Sequence, residues 1–186
     1  MRIVGGRLRG LGLTPVGKGD AGAHLRPTTD RVREALFNWL THGGFGDVFD
    51  GAVVLDLFAG TGALGLEALS RASSSVTFVD DGRVAGRLLK ANIEKARASD
   101  VCRVVRRDAT RLGAAEQAAT LVFHDPPYGK GLGAKALGAA VKGGWIAPGA
   151  VVVWEENAEQ DAPDGFAKLD ARRYGDTHVT VLEFAP

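Results

Sequence analysis

Two short stretches carry residue types at spacings that can do chemistry. The first is Asp56-Leu57-Phe58-Ala59-Gly60-Thr61-Gly62-Ala63-Leu64-Gly65, a G-x-G-x-x-G behind an apolar run. Glycines there let a ligand approach the backbone where any Cβ would collide, and a helix opening at that point offers free N–H groups. The spacing serves two ligand classes: dinucleotides, held by their pyrophosphate, and S-adenosylmethionine, which has none. Asp56 separates them, because a carboxylate inside an apolar strand repels a pyrophosphate and suits a ligand bearing an ammonium and a sulfonium. A structural cap on the loop is the other reading of Asp56. Phe58, Ala59, Gly60, Thr61 and Gly62 form the expected cofactor cradle. Asp80, 20 residues after Gly60, stands where an acid accepts hydrogen bonds from ribose hydroxyls. The adjacent Asp81 competes for that role. Asp108-Ala109 follows the next apolar run, where an acid meets an adenine amine or is simply solvated.

The second stretch is His124-Asp125-Pro126-Pro127-Tyr128-Gly129. Neither proline has an N–H, so the loop is stiff and its carbonyls point outward unpaired. The Asp125 carboxylate and the Pro126 carbonyl are two acceptors able to grip both hydrogens of a planar –NH2 group, and Tyr128 supplies a face on which a base stacks. A nucleobase amine is a poor nucleophile because its lone pair is delocalised into the ring. Acceptors on its N–H bonds return density to nitrogen and stabilise the charge that grows there during methyl transfer. In isolation the stretch also reads as a Pro-Pro turn with a structural Asp and a packed Tyr. Beside the glycine loop, amine methylation on a nucleobase is the stronger reading. His124 is expected to be packed or peripheral rather than a base.

Both stretches need strands that deliver them. Residues 52–57 are a near-continuous apolar run, the mark of a strand buried on both faces of a parallel sheet. Further strands are expected at 76–79, 101–105, 120–123 and 151–154, and helices from Gly62 to about 71, over 83–98 and over 132–142. The alternation predicts an open α/β sheet with right-handed crossovers. Residues 166–174 and 177–184 are separated by too few residues for a crossover, so they form an antiparallel hairpin placing an antiparallel strand at the sheet edge. Ahead of the sheet, Thr28 or Asp30 is expected to cap a helix carrying Val32, Ala35, Leu36, Trp39 and Leu40 on one face. Residues 1–26 read as short strands and a flexible glycine-rich loop.

The 186 residues fit one domain, divided into a basic extension over 1–45 and a catalytic core over 46–186. No run is long and apolar enough for a membrane span and the N-terminus lacks a secretory signal, which makes the cytoplasm the expected location and a monomer the expected state. The lone Cys102 can build neither a disulfide framework nor a cysteine-rich zinc site and is expected in the core; no metal is expected. The net charge of +1 hides an asymmetry. Residues 1–34 hold seven cations against three acids, a net of +4 that leaves −3 for the rest. A basic arm on an acidic body suits phosphate contacts, with Arg7, Arg9, Arg26, Arg31 and Arg33 as candidates.

The run Leu25-Arg26-Pro27-Thr28-Thr29-Asp30-Arg31-Val32-Arg33-Glu34-Ala35-Leu36-Phe37-Asn38-Trp39-Leu40, taken with Asp56 to Arg71 and Asp125-Pro126-Pro127-Tyr128, resembles the bacterial 16S rRNA guanine-N2 methyltransferase family called RsmD. The resemblance covers nearly the whole chain. It implies a class I, Rossmann-like methyltransferase fold, S-adenosylmethionine as cofactor, and methylation of a guanine N2 in 16S rRNA, free or in the assembling small ribosomal subunit. By motif it assigns Asp56, Gly60 and Gly62 to the methionine part of the cofactor, Asp80 to the ribose, Asp108 to the adenine and Asp125 to Tyr128 to the target amine. Family members usually have an apolar residue at the position of His124. An adenine-N6 DNA methyltransferase can use the same Asp-Pro-Pro-Tyr, and a non-catalytic RNA-binding assembly factor would need the arm but not the cofactor loop. A nicotinamide dehydrogenase is the remote alternative.

Overall fold

The computed structural model describes residues 1–17, 25 and 28–186. Its elements are α1 (Asp30–His42), β1 (Val53–Leu57), α2 (Ala63–Ser70), β2 (Ser75–Val79), α3 (Arg83–Lys95), β3 (Cys102–Val105), β4 (Ala119–His124), α4 (Leu132–Lys142), β5 (Ile146–Glu156), β6 (Phe166–Tyr174) and β7 (Thr177–Phe184). The seven strands form one sheet in the order β3-β2-β1-β4-β5-β7-β6. The first five are parallel, and β7 runs antiparallel to both β5 and β6. The antiparallel strand therefore lies one place in from the edge, and β6 is outermost. The fold is α/β and Rossmann-like, with the sequence order reversing between β1 and β4. Ligands of such sheets bind at that crevice, outside the strands' carboxyl ends.

Apolar side chains cover both faces of the sheet, which explains the uninterrupted apolar runs of β1 and β4. One face packs Leu36, Phe37, Leu66, Phe78, Leu89 and Phe123 between α1, α2, α3 and the strands. The other packs Leu57, Val122, Leu137, Val152, Trp154 and Leu182 beneath α4. Cys102 is part-buried against the first of these clusters.

Several boundaries differ from the sequence reading for identifiable reasons. Strand β5 begins at Ile146 instead of Val151, because a register shift between Ala119 and Leu121 lets Pro148-Gly149 pass as an irregularity. Helix α3 stops at Lys95, two residues before Arg97 takes a φ of 51°. The N-cap of α1 is Thr29, whose hydroxyl accepts from the Val32 N–H at 3.3 Å. Thr28 is drawn instead toward Glu155. Of the short strands expected before α1, the described residues show a single antiparallel bridge, Arg2 to Gly12.

Residues 4–8 are strapped onto α2 by hydrogen bonds. The N–H groups of Val4 and Gly5 donate to the two oxygens of the buried Glu67 at 2.9 and 2.8 Å, and those of Arg7 and Leu8 to the carbonyl and hydroxyl of Ser70, each at 2.8 Å. Gly6 has a φ of 73°, and a Cβ there would lie 1.9 Å from the Ser70 carbonyl oxygen. Glycine is required by conformation and space alike.

Candidate active site

The β1–β4 and β4–β5 pairings stop at one level, Leu57 opposite His124 and His124 opposite Trp154, while β5 runs on to Glu156 beside β7. Phe58, Asp125 and Glu155 consequently follow side by side, and the ladder continues with the Asp125 N–H donating to the Leu57 carbonyl at 3.4 Å. The two sequence motifs thus meet at the sheet's switch point.

The cradle is built by a chain that turns sharply. Phe58 takes a φ of 59°, rare for a residue with a side chain, and Gly60 and Gly62 take 57° and 79°. Three N–H groups of this loop are already occupied. The Gly60 N–H donates to Asp80 Oδ2 at 3.0 Å, that of Gly62 to the Ala59 carbonyl at 2.8 Å, and that of Gly65 to Asp56 Oδ2 at 3.0 Å. Asp56, 1% exposed, therefore caps the first turn of α2, and the structural reading of this residue is realised. Burial pushes its carboxyl well above the usual range, despite the Gly65 bond, and Asp80 and Glu155 add to the shift. Asp80 takes the Gly82 N–H on its other oxygen at 2.8 Å and so pins the loop to the end of β2, while Asp81 is exposed. Each Asp80 oxygen keeps a lone pair for a ribose hydroxyl.

Thr61 is wired further afield. Its carbonyl accepts from Asn92 Nδ2 at 2.8 Å, and Asn92 Oδ1 accepts from the Thr14 N–H at 2.7 Å, so a buried asparagine joins the arm to the glycine loop. Asp108 is exposed and caps the short 3-10 turn Ala109–Arg111, accepting from Thr110 N–H at 2.8 Å and from its hydroxyl at 2.7 Å; those bonds lower its pKa. The Ala109 side chain is buried in the α4-side core.

On the second motif Pro126 is buried, Pro127 exposed and Tyr128 half-buried. The Tyr128 hydroxyl lies 3.2 Å from Thr177 Oγ1, tying the loop to the β6–β7 turn, and the Gly129 N–H donates to Glu156 Oε1 at 3.3 Å. Burial pushes the Tyr128 phenol up to about 12, so it stays protonated. Burial, with Glu155, Asp56 and Glu156 nearby, pushes Asp125 well above the carboxylate range. His124 is packed, as its sequence context suggested. Its ring lies 5.2 Å from Trp154 and 5.7 Å from Phe58, Nε2 faces the Gly133 carbonyl at 2.9 Å, and burial lowers it to about 4. A neutral imidazole donating to that carbonyl is no base for the site.

Sequence reasoning missed Glu155, Glu156, Thr28 and Thr177. Glu155 is 1% exposed. Its Oε2 accepts from Thr28 Oγ1 at 3.3 Å, and burial raises it to about 7. The signal was present: two acids close the apolar run of β5, as Asp80 closes β2. Of the arm's cations, Arg7, Arg9 and Arg31 are exposed, and Arg26 lies outside the described residues. Arg33 is corrected. It is 0% exposed, bonded to Asp30 at 2.9 Å and to the carbonyls of Thr28 and Arg2, and paired with Glu67 at 3.6 Å. It is a buried counter-ion that no phosphate can reach.

Among the described residues this cradle sets the carboxyls of Asp56 and Asp80 against its glycines and spends three of its N–H groups on them and on the Ala59 carbonyl. That donor set fits a cationic cofactor and opposes a pyrophosphate.

Comparison with known proteins agrees with the geometry. The family model described as conserved hypothetical protein 95 matches residues 1–183. The chain is 40% identical over 164 residues to ribosomal RNA small subunit methyltransferase D of Escherichia coli K12, covering 88% of this chain and 78% of that protein. The Haemophilus influenzae protein of the same name is 34% identical over 167 residues, with 88% and 81% covered. The solved structure of yhhF from Escherichia coli superposes with a TM-score of 0.81 at 35% identity, covering 100% of this chain and 98% of that one. The chain therefore belongs to the conserved hypothetical protein 95 family, the RsmD methyltransferases that its motifs resemble.

Proposed function

We propose that the protein transfers a methyl group from S-adenosylmethionine to the exocyclic N2 amine of a guanine in small-subunit ribosomal RNA. The observation that carries this reading is the cluster of acids at the carboxyl ends of β1, β4 and β5. Buried Asp56 and Glu155 and half-buried Asp125 gather acceptor oxygens beside a stiff Pro-Pro-Tyr loop. Their burial costs energy that a cationic methyl donor, or an amine that becomes cationic as it reacts, relieves. The ribosomal RNA substrate follows from the names of the relatives that share most of this chain.

When bound, the cofactor supplies an electrophilic methyl on its sulfonium. The chain's own residues do the rest. Asp80, on its remaining lone pairs, holds the ribose, and Asp108 reaches the adenine. Asp125 and the Pro126 carbonyl accept the two N–H bonds of the target amine and align its nitrogen with the methyl. Positive charge grows on that nitrogen as the bond forms, and the acceptors stabilise it without reorganising. The proton then lost from the methylated amine leaves readily to solvent or to Asp125. Tyr128 stacks on a base extruded from the RNA. Exposed Arg7, Arg9 and Arg31 contact phosphates, and Arg26 is retained as a candidate from the sequence alone.

Two measurements test the reading. Calorimetric titration should show binding of S-adenosylmethionine and none of NAD. Mass mapping of 16S rRNA nucleosides from a strain lacking the gene should show one N2-methylguanine missing, restored in vitro by purified protein and labelled cofactor. A full complement of N2-methylguanines in that strain would refute it.

A further inference from the structure

A second carboxyl stands beside the amine-gripping one. The β4–β5 pairing stops at His124 opposite Trp154, so Asp125, the residue after β4, and Glu155, still within β5, follow side by side at the strands' carboxyl ends. Along β5, Val151 and Val153 pack on the α1 side of the sheet and Val152 and Trp154 on the α4 side. Alternation puts Glu155 on the α1 side, where Thr28 Oγ1 donates to its Oε2. Its other oxygen, Oε1, is buried with no hydrogen-bond partner among the described residues. Buried acceptors of that kind are rare and call for a donor. The cation acting on Glu155, Arg33, is itself engaged by Asp30 and Glu67.

The donor follows from the chemistry of the base. Beside its 2-amine, guanine presents N1–H, a second donor in the same edge. Adenine presents N1 as an acceptor beside its 6-amine. Asp125 and Pro126 grip any exocyclic amine and do not distinguish the two. We propose that Glu155 accepts the N1–H of the guanine whose 2-amine is held by Asp125, and so selects guanine over adenine. This rests on the guanine reading above. Thr28 holds one oxygen of Glu155 and leaves the other for the base, so a bound guanine displaces no existing partner. Adenine in the same pose sets two acceptors face to face, the kind of unpaired polar contact that discriminates most strongly.

The test uses 2-aminopurine, which keeps the 2-amine and lacks N1–H. The methylated nucleotide is first mapped in the wild-type reaction, and 16S rRNA carrying 2-aminopurine at that position is prepared by splinted ligation. Wild-type kcat/KM should favour guanine by at least about tenfold. Glu155→Gln, whose amide can donate to an acceptor N1, should lose activity on guanine, gain it on 2-aminopurine, and bring the ratio to about one or below. Binding of S-adenosylmethionine, titrated separately, should be weakened by no more than severalfold, so the change in base preference is read apart from cofactor loading. A wild-type ratio near one overturns the assignment without any variant, and so does a ratio that Glu155→Gln leaves unmoved while guanine N2 is still methylated. Methyl found on adenine N6 overturns the assignment and the guanine reading together.

Discussion

Buried acids occur in two regions of this molecule, and their surroundings differ in kind. At the junction of arm and α2, Glu67 is met by two backbone N–H groups and by the guanidinium groups of Arg33 and Arg71, at 3.6 and 3.1 Å. Where β1, β4 and β5 end, Asp56, Asp125 and Glu155 lie together, and burial raises all three. A charge-balanced acid fixes geometry, because its lone pairs are spent. An unbalanced group of acids stores unfavourable self-energy that a cationic ligand relieves. The comparison separates an acid neutralised by cations from a group in which Asp56 is held only by a backbone N–H and Glu155 keeps an unpartnered oxygen.

Breaking the unbalanced site should have the largest effect. Asp125→Ala is expected to lower methyl transfer by about 10²–10³-fold, with cofactor affinity by calorimetry within severalfold of wild type. Turnover equal to wild type would remove Asp125 from the mechanism. Breaking the balanced site should cost stability instead. Arg33→Met leaves Glu67 and Asp30 short of a partner and should destabilise by about 3–5 kcal/mol in urea unfolding. A loss near zero would show that the N–H groups alone suffice.

A pH experiment sharpens the contrast. Glu155 titrates near 7 in the folded chain against an ordinary value of 4.5. Between those values the folded state binds more protons, so Glu155 makes stability fall as pH rises through that window. Glu155→Gln should match wild type near pH 5 and melt several degrees higher at pH 8. Equal melting temperatures at both pH values would mean that the carboxyl is not strained. The smallest effect is expected at the surface. Charge reversal at Arg7 and Arg9 should weaken RNA binding and reduce its salt slope by about two. An unchanged slope would take the arm off the RNA.

Much of this was legible in the sequence because the signals are local. Helix α4 and both strands of the hairpin appear at the residues read from periodicity and turn chemistry. The glycine loop and Asp125 to Tyr128 announce themselves by spacing. Arg33 misled for a physical reason: a charged residue in a basic segment reads as solvated, and the buried Glu67 that claims it lies far along the chain. Glu155 was overlooked because an acid at a strand end gains meaning only from the neighbour beside it.

By itself the sequence determined the alternation of strands and helices, the glycine loop and the Asp-Pro-Pro-Tyr motif, since each depends on residues within a few positions of one another. Only the tertiary structure decided which acids are neutralised. It assigned Asp56 to cap α2, buried Arg33 against Glu67 and set Glu155 beside Asp125. Charge balance is a sum over neighbours in space, and parallel pairing brings together strand ends that lie tens of residues apart in the chain.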